Sequence, residues 1–249
     1  MTKEPTPSFG LDELSWIDVA AHIARDSRLI IPVGALEQHG AHLPLGSNVL
    51  IARRLALDLS NEFGVLRAPT FHYGVNVPTE RAFAGTASLE KKVLHRALNR
   101  LLACWEEHGF DEFILITAHR HEPHLEALAG LITSRARVRV VETWDVPIAE
   151  LLERQPGPQH ACEAETSVML HLHPELVRMD RARDLEVSED AFRRYIHGGM
   201  PTPPKGGAGA VGFPSAATAE KGARLYARIL DSIRRSVFLA DAGLDTDTL

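Results

Sequence analysis

The sequence predicts an α/β fold, in which a single three-layer sandwich is built on a mostly parallel central sheet. Short strand-like runs alternate with helical segments along the 249 residues, and this alternation is typical of repeated βαβ units. One run, Glu112–Thr117 (EFILIT), is continuously apolar between its ends, as expected of a central strand covered on both faces. No internal repeat or low-complexity linker interrupts the pattern. We therefore predict one domain over residues 1–249, with residues 1–9 and 240–249 as terminal tails.

The first half of the chain contains two predicted helices and two predicted strands. Leu11–Ala24 begins with two acidic residues, which suit the positive end of a helix dipole, and Asn48–Phe63 repeats apolar side chains near a 3.6-residue period. The strands are Leu29–Val33 and Val65–Phe71. Glycine and proline punctuate the following segment, Tyr73–Gly85, which is predicted to be a loop.

The second half continues the alternation. Gly109 follows a long helical pattern in the position of a C-cap. The predicted elements are helix Leu89–His108, strand Glu112–Thr117, helix His124–Ser134, strand Val138–Glu142, a helix containing Val168 to Leu170, and helix Ala216–Leu239. Residues 155–160 and 198–214 are predicted to be loops.

Composition excludes several classes of protein. The net charge is −6 and no run of lysine or arginine occurs, which argues against a nucleic-acid binder. No apolar run approaches the roughly 18 residues that a membrane span needs, and the first residues lack the apolar region of a signal peptide. The two cysteines, Cys104 and Cys162, do not form a disulfide framework. We therefore expect a cytoplasmic protein that acts on a small molecule and contacts neither nucleic acid nor a membrane.

Three polar clusters indicate where the chemistry lies. They are Glu37-Gln38-His39 with His42 and Asn48, then His119-Arg120-His121-Glu122, and finally the segment His160–Ser167 (HACEAETS). In parallel α/β sheets, functional residues collect at the carboxyl ends of the strands. Glu37 and His39 are two residues apart, so an extended chain places both on one side. Carboxylate oxygen and imidazole nitrogen together suit zinc, manganese or iron, although a single histidine at a strand end is more often structural.

At these residues the chain resembles the creatininase family of metal-dependent amidohydrolases. The family's first motif, Pro-x-Gly-Ser-x-Glu-Gln-His-Gly-Pro-His-Leu-Pro-Leu-x-Thr-Asp, corresponds to PVGALEQHGAHLPLGSN at Pro32–Asn48. The family's Phe-Pro-Gly-Thr loop corresponds to FAGT at Phe83–Thr86, and its His-Ala-Gly-x-x-Glu-Thr-Ser motif to HACEAETS at His160–Ser167. A late segment, GAVGFPSAATAEKG, follows at Gly209–Gly222. FAGTASL and ETSVMLHLHPELVR look closest to the peptidase branch that trims the mycofactocin precursor.

The resemblance implies a set of metal-binding positions, namely Glu37, His39, Asn48, His119 and Glu165. It implies that one or two divalent ions bind, with zinc or manganese favoured over iron. His160 matches the family histidine that carries a proton to the leaving nitrogen. The resemblance also implies a homo-oligomer, since relatives often assemble as hexamers.

Two departures from the family pattern make this member atypical. Asn48 stands where the family has an aspartate that bridges two metals, and a neutral amide removes charge that screens the two cations from each other. We therefore expect one metal site to be weakened or lost. The family's Asn-Gly-His-Gly-Gly-Asn loop has become TAHRHE at Thr117–Glu122. His121 could replace a lost ligand and bind substrate, and Glu122 could restore a negative charge as a second catalytic residue. The alternative is that Arg120 and Glu122 form an ion pair at the pocket rim.

Three further residues lie beside these clusters. Tyr73 and Trp144 are candidates for substrate binding together with Arg120 and His121, although Trp144 could equally pack beneath a loop. Cys162 is expected to be a buried small thiol rather than a nucleophile.

The leading functional hypothesis is a metal-dependent hydrolase that cleaves an amide or cyclic-amide C–N bond, other than an ordinary peptide bond, through metal-activated water. A second hypothesis keeps the scaffold and changes the reaction, either to the opening of a carbocyclic ketone or to the reverse amide condensation. A third is a non-catalytic binding protein.

Overall fold

The structure is a computed structural model that describes residues 8–197, 199, 206 and 208–240. Residues 1–7 and 241–249 of the predicted tails lie outside the described residues. The same holds for residues 198, 200–205 and 207 of the predicted loop at 198–214.

A four-stranded sheet forms the centre of the molecule. Its strands, in chain order, are β1 (Arg28–Val33), β2 (Leu66–Arg67), β3 (Glu112–Thr117) and β4 (Arg137–Glu142). Their order across the sheet is β2-β1-β3-β4, and every pairing between them is parallel. Ile30 of β1 pairs with Ile114 of β3, which pairs in turn with Arg139 of β4. The predicted α/β class with a parallel central sheet is confirmed.

Seven α-helices surround the sheet within the described part of the chain. They are α1 (Trp16–Ile23), α2 (Ser47–Phe63), α3 (Lys91–Glu107), α4 (Glu122–Ala129), α5 (Glu163–Leu172), α6 (Glu189–Ile196) and α7 (Ala219–Ile233), the last of which continues as a π-helical segment, Arg234–Leu239.

Two hydrophobic cores lie on opposite faces of the sheet, because successive strand residues point to opposite sides. Ile30, Ile114 and Ile116 face the core shared with α2, α5 and α7. Leu29 and Ile31 of β1, with Phe113 and Leu115 of β3, face the core shared with α1, α3 and α4. This division produces the three layers predicted from the sequence.

Several elements differ from the prediction. Of the predicted strand Val65–Phe71, Leu66–Arg67 joins the ladder and Phe71 forms an isolated parallel bridge with Val33. Between them, Pro69 lacks the N–H that a continued strand needs. The predicted helix His124–Ser134 ends earlier, at Ala129. Leu11–Glu13 is a separate 3-10 turn, and α1 begins after Ser15, whose hydroxyl accepts the N–H of Asp18. Helix α6 falls in a segment to which we assigned no element.

The sheet positions the functional residues at its carboxyl edge. The chain leaving β1 carries Glu37 and His39, and the chain leaving β3 carries His119 and His121. The first turn of α2 brings Asn48 to the same edge. None of the helices in the described ranges is long and apolar enough to cross a membrane.

Candidate active site

The three predicted polar clusters meet at one small cavity of about 40 Å³. Its polar lining is Glu37, His119, Arg120, His121, Gln159, His160 and Glu165, and its remaining lining is Val77, Pro158, Phe192, Tyr195 and Ile196. The clusters are up to 128 residues apart in sequence, between Glu37 and Glu165, and the parallel sheet brings them together at its carboxyl edge, as the sequence predicts.

Glu37 is the buried anion of the site. Its Oε1 accepts a hydrogen bond from the Nδ2 of Asn48 at 2.9 Å and lies 3.0 Å from the Nδ1 of His119. Burial alone would raise the pKa of Glu37, but the neighbouring His119 outweighs it, and the pKa lies well below its usual range. Glu37 is therefore ionised at neutral pH, and its second oxygen, Oε2, is buried with no hydrogen-bond partner.

Three imidazoles are each fixed through one ring nitrogen to a backbone carbonyl. The Nδ1 of His39 lies 3.2 Å from the carbonyl oxygen of Glu37. The Nε2 of His119 and the Nδ1 of His121 both lie 2.8 Å from the carbonyl oxygen of Val75. A carbonyl only accepts hydrogen bonds, so each of these nitrogens carries its proton and donates it.

In His39 and His121 the opposite ring nitrogen is then free to act as a ligand, whereas that of His119 faces Oε1 of Glu37. The Nε2 atoms of His39 and His121 are buried and have no hydrogen-bond partner. An imidazole that donates one N–H to a carbonyl and directs its other nitrogen into a polar cavity has the usual arrangement of a metal-binding histidine. Gly74 contributes to this arrangement, because a Cβ there would lie 2.9 Å from the carbonyl oxygen of Gly34 and would displace the loop that carries Val75.

His160 completes the group from the other side of the cavity. Potential ligand atoms of Glu37, His39 and His160 all lie within 4.8 Å of one another. The Nε2 of His160 contacts Gln38 through both the backbone oxygen and the side-chain nitrogen, each at 2.9 Å. Burial lowers the pKa of His160. Burial, together with the neighbouring His160, lowers the pKa of His39 to about 4. Both rings are neutral at pH 7 and hold a lone pair.

Two other buried carboxyl groups beside the cavity have raised pKa values. Burial raises the pKa of Glu165 to about 8 and that of Glu80 to about 8. Among the imidazoles, burial lowers the pKa of His121 as it does those of His39 and His160. In His119 the neighbouring Glu37 outweighs burial and raises the pKa. This nitrogen and oxygen donor set fits a divalent metal such as zinc or manganese.

Comparison with known proteins agrees with this geometry. The sequence model described as "Creatininase: Creatinine amidohydrolase" matches residues 12–237. The chain belongs to the creatininase family. Its fold is therefore that of the family's amidohydrolases, and its hydrolase class follows from the same membership.

Individual relatives span most of the chain. The mycofactocin precursor peptide peptidase of Mycobacterium ulcerans is 30% identical over 221 residues, which are 82% of this chain and 81% of the relative. The creatinine amidohydrolase of Pseudomonas putida is 28% identical over 195 residues, covering 69% and 75% of the two chains. A solved mutant creatininase of the Zn-Zn type superposes with a TM-score of 0.78 at 25% identity, covering 92% of this chain and 98% of its own.

His39 and Asn48 lie behind the cavity lining beside Glu37, whereas three other predicted site residues of this creatininase-family member lie outside both the cavity and the cluster around Glu37. Glu122 is the first residue of α4, where its side chain turns outward, is 52% exposed and forms an ion pair with His197. Tyr73 is 48% exposed. Trp144 is buried in the core, where its Nε1 donates to the carbonyl of Ala118 at 3.0 Å. The structure thus gives Glu122 no catalytic contact, and it places Tyr73 and Trp144 outside the cavity lining.

Arg120 and Cys162 also have defined surroundings. Arg120 lines the cavity, and its ion pair is with Glu142 rather than Glu122, with 3.4 Å between Nε and Oε2. Cys162 is fully buried, and burial raises the pKa of its thiol to about 11. It is therefore protonated at neutral pH, as expected of a structural thiol.

Sequence reasoning missed a buried pair beside the cavity. The hydroxyl of Tyr195 donates a hydrogen bond to Oε1 of Glu80, and the other oxygen of Glu80 is buried without a partner. Helix α6, which carries Tyr195, does have a sequence signal: Ser188 caps it by accepting the N–H of Ala191, and two acidic residues open its first turn. Nothing in the sequence indicates the contact with Glu80, which lies 115 residues away.

Proposed function

We propose that this protein is a metal-dependent hydrolase that cleaves an amide or cyclic-amide C–N bond of a small molecule. One observation carries the proposal: an ionised, buried carboxylate is surrounded by imidazoles that are each oriented through a backbone carbonyl. Membership of the creatininase family supports the class of reaction.

Glu37 and His39 would hold the metal, with His119, His121 and His160 within the same cavity. We propose zinc or manganese, because the donor set suits both and solved family structures are titled as zinc and manganese forms. We propose one ion per chain, because the neutral amide of Asn48, in contact with Glu37, stands where a carboxylate would help to hold a second cation. When bound, such an ion polarises a carbonyl oxygen and lowers the pKa of water toward about 7.

His160 is the proposed acid–base residue. Because burial lowers its pKa, the ring is neutral at pH 7 and can take the proton that the attacking water gives up. The same ring can then deliver that proton to the departing nitrogen. A hydrogen bond between the Nε2 of His160 and Gln38 holds the ring beside His39, with 4.8 Å between the two ring centres. Acid–base catalysis by a positioned side chain contributes about 10²–10⁴ in rate.

A peptide amide is the second candidate substrate. The observation that favours it is the 30% identity, over 82% of this chain, to a relative named as a peptidase of a precursor peptide. A 27% identical relative is named 3-dehydro-scyllo-inosose hydrolase, but the match covers 54% of that relative. Ring opening of a carbocyclic ketone is therefore a weaker candidate.

The homo-oligomer expected from the family resemblance stays a prediction.

Formation of the hydrolysed product by the zinc-loaded or manganese-loaded protein, followed by mass spectrometry, tests the proposal. The panel comprises creatinine, small lactams and short peptides, with Glu37→Gln as the matched variant that keeps shape and removes charge. We expect hydrolysis of at least one amide by the wild type and a loss of about 10²-fold or more in the variant. The proposal is contradicted if the loaded wild type hydrolyses no member of the panel, or if it does so no faster than Glu37→Gln.

A further inference from the structure

We infer that the substrate carries a carboxylate beside an apolar group, and that Arg120 binds the carboxylate while α6 contacts the apolar group. This inference rests on the proposed function, because it concerns the same cavity. It names a substrate class and a specificity-determining residue that the metal ligands alone do not define.

Arg120 is the one lysine or arginine among the described residues that line the cavity. It directly follows His119, so its backbone is fixed beside the imidazole cluster. Its polar contacts within the described chain are both long: the Nε is 3.4 Å from Oε2 of Glu142, and one terminal nitrogen is 3.4 Å from the carbonyl of Pro158. The side chain is 42% exposed, which leaves donor N–H groups of the guanidinium accessible to a ligand.

The ion pair with Glu142 leaves part of this positive charge uncompensated. Glu142 is held beneath Arg120 and accepts the backbone N–H of Trp144 at 2.8 Å. Burial raises the pKa of Glu142 to about 7 despite the nearby guanidinium. At neutral pH Glu142 is only partly ionised, and its one contact with Arg120 is long, so the guanidinium keeps charge and donors for a second anion.

An apolar wall shares the cavity with Arg120. Phe192 and Ile196 are one helical turn apart on α6 and both line the cavity, together with Val77. The charged residues of the same helix, Arg193 and Arg194, are exposed and pair with acidic residues of its first turn. Helix α6 therefore presents an apolar face to the cavity and a charged face to solvent.

These two features select one kind of ligand chemistry. A guanidinium matches the two oxygens of a carboxylate through paired N–H donors, and an apolar wall favours an aliphatic or aromatic side group. An amide that bears both groups on the carbon next to its nitrogen is an N-acyl amino acid or the C-terminal residue of a peptide. Both sources share the chemistry that Arg120 and α6 would recognise.

Isothermal titration of the zinc-loaded protein tests the inference with matched acids and amides. The probes are N-acetyl-L-phenylalanine and its neutral carboxamide, and an N-acetylated tripeptide ending in phenylalanine with its carboxamide. We expect each acid to bind about tenfold or more tightly than its amide. The pair with the larger preference identifies a free acyl amino acid or a peptide C-terminus as the source.

Variants of arginine establish which residue causes the preference. Arg120→Gln should abolish it, Arg120→Lys should keep part of it, and Arg193→Gln on the outer face of α6 should leave it unchanged. Equal affinity of acid and amide for the wild type, or an undiminished preference in Arg120→Gln, would overturn the inference. Because binding is measured rather than turnover, a protein that hydrolyses no amide would contradict the proposed function and leave this result intact.

Discussion

We propose that Asn48 limits how much positive charge the site can hold. Its amide donates to Oε1 of Glu37 and lies 3.2 Å from the Nδ1 of His119, so it occupies the centre of the ligand cluster without adding charge. Two dications a few ångströms apart repel strongly in a buried site, and a neutral amide does nothing to offset that repulsion. On this proposal, the residue at position 48 separates a one-metal from a two-metal site.

Asn48→Asp should raise the metal content from about one to about two ions per chain. The added carboxylate supplies a second negative charge between the ligands and can bridge two cations. Metal analysis after loading and desalting measures the change. Asn48→Ala is the control, because it removes the amide without adding charge and should not gain an ion. If Asn48→Asp binds no more metal than the wild type, position 48 does not limit the site.

His121→Ala should weaken metal binding by about 10–100-fold, as removal of a ligand or its orienting contact commonly does. The reason is that its buried Nε2 has no partner other than the cavity, while its Nδ1 is fixed to Val75. Competition with a chromophoric chelator measures the affinity. His95→Ala is the matched control, since both ring nitrogens of His95 already contact protein groups on α3 and α4. Equal affinities in the two variants would remove His121 from the ligand set.

At the scale of elements, α6 lines the cavity, and a buried hydrogen bond from Tyr195 to Glu80 holds it there. A small satellite cluster of Val77, Tyr195 and Val211 supports it. The cavity of about 40 Å³ has room for roughly three waters, so an amide substrate needs α6 to move outward.

Tyr195→Phe should loosen α6. The variant loses the hydroxyl that holds the helix to Glu80, so amide hydrogen exchange in Glu189–Ile196 should accelerate several-fold. Exchange followed by mass spectrometry measures this directly. Tyr226→Phe is the control, because it removes a similar bond away from α6, from Tyr226 on α7 to Asp58 on α2 at 2.7 Å. Unchanged exchange in α6 of Tyr195→Phe would show that other contacts hold the helix.

The elements also show what the sequence could predict. The apolar run at β3 and the alternation of β1 with α2 predict the sheet, because periodicity records which face is buried. The ligand residues follow from their place after those strands. Glu122 shows the limit: the same motif that brings His121 inward turns the next side chain outward, since α4 begins there. The pairing of Glu80 with Tyr195 depends on tertiary packing, which a local pattern does not record.

At the scale of the whole molecule, the buried titratable groups make stability depend on pH. Burial keeps Glu80 protonated up to about pH 8, whereas an unfolded glutamate ionises near 4.5. The folded state therefore holds more protons in this range, and its stability falls as pH rises. The pKa values of the buried His39 and His42 are lowered from 6.5 to about 4. These two residues therefore have the opposite effect below pH 6.5, where stability falls as pH falls. Above pH 6.5 the buried carboxyl groups and His119, whose pKa Glu37 raises, act in the same direction, and stability falls as pH rises.

The metal-free protein should therefore lose stability between pH 6.5 and pH 8. Each fully buried carboxyl group contributes about 2 kcal/mol over that range, at 1.36 kcal/mol per pH unit. Urea unfolding in the presence of a chelator measures the free energy. Glu80→Gln should flatten the slope of the unfolding free energy against pH, since the neutral amide accepts the Tyr195 hydrogen bond without titrating. Glu107→Gln, at an exposed position, is the control and should leave that slope unchanged. A slope that is unchanged in Glu80→Gln would contradict this assignment.

Metal content is the measurement that tests the central claim most directly. The purified protein is stripped with a chelator, loaded with zinc or with manganese, desalted, and its metal counted per chain by mass spectrometry. Glu37 and the surrounding imidazoles predict about one tightly held ion per chain, lost in Glu37→Gln. No retained metal under either loading would contradict the claim that this cluster is a metal centre, and two retained ions would contradict the claim that Asn48 limits it to one.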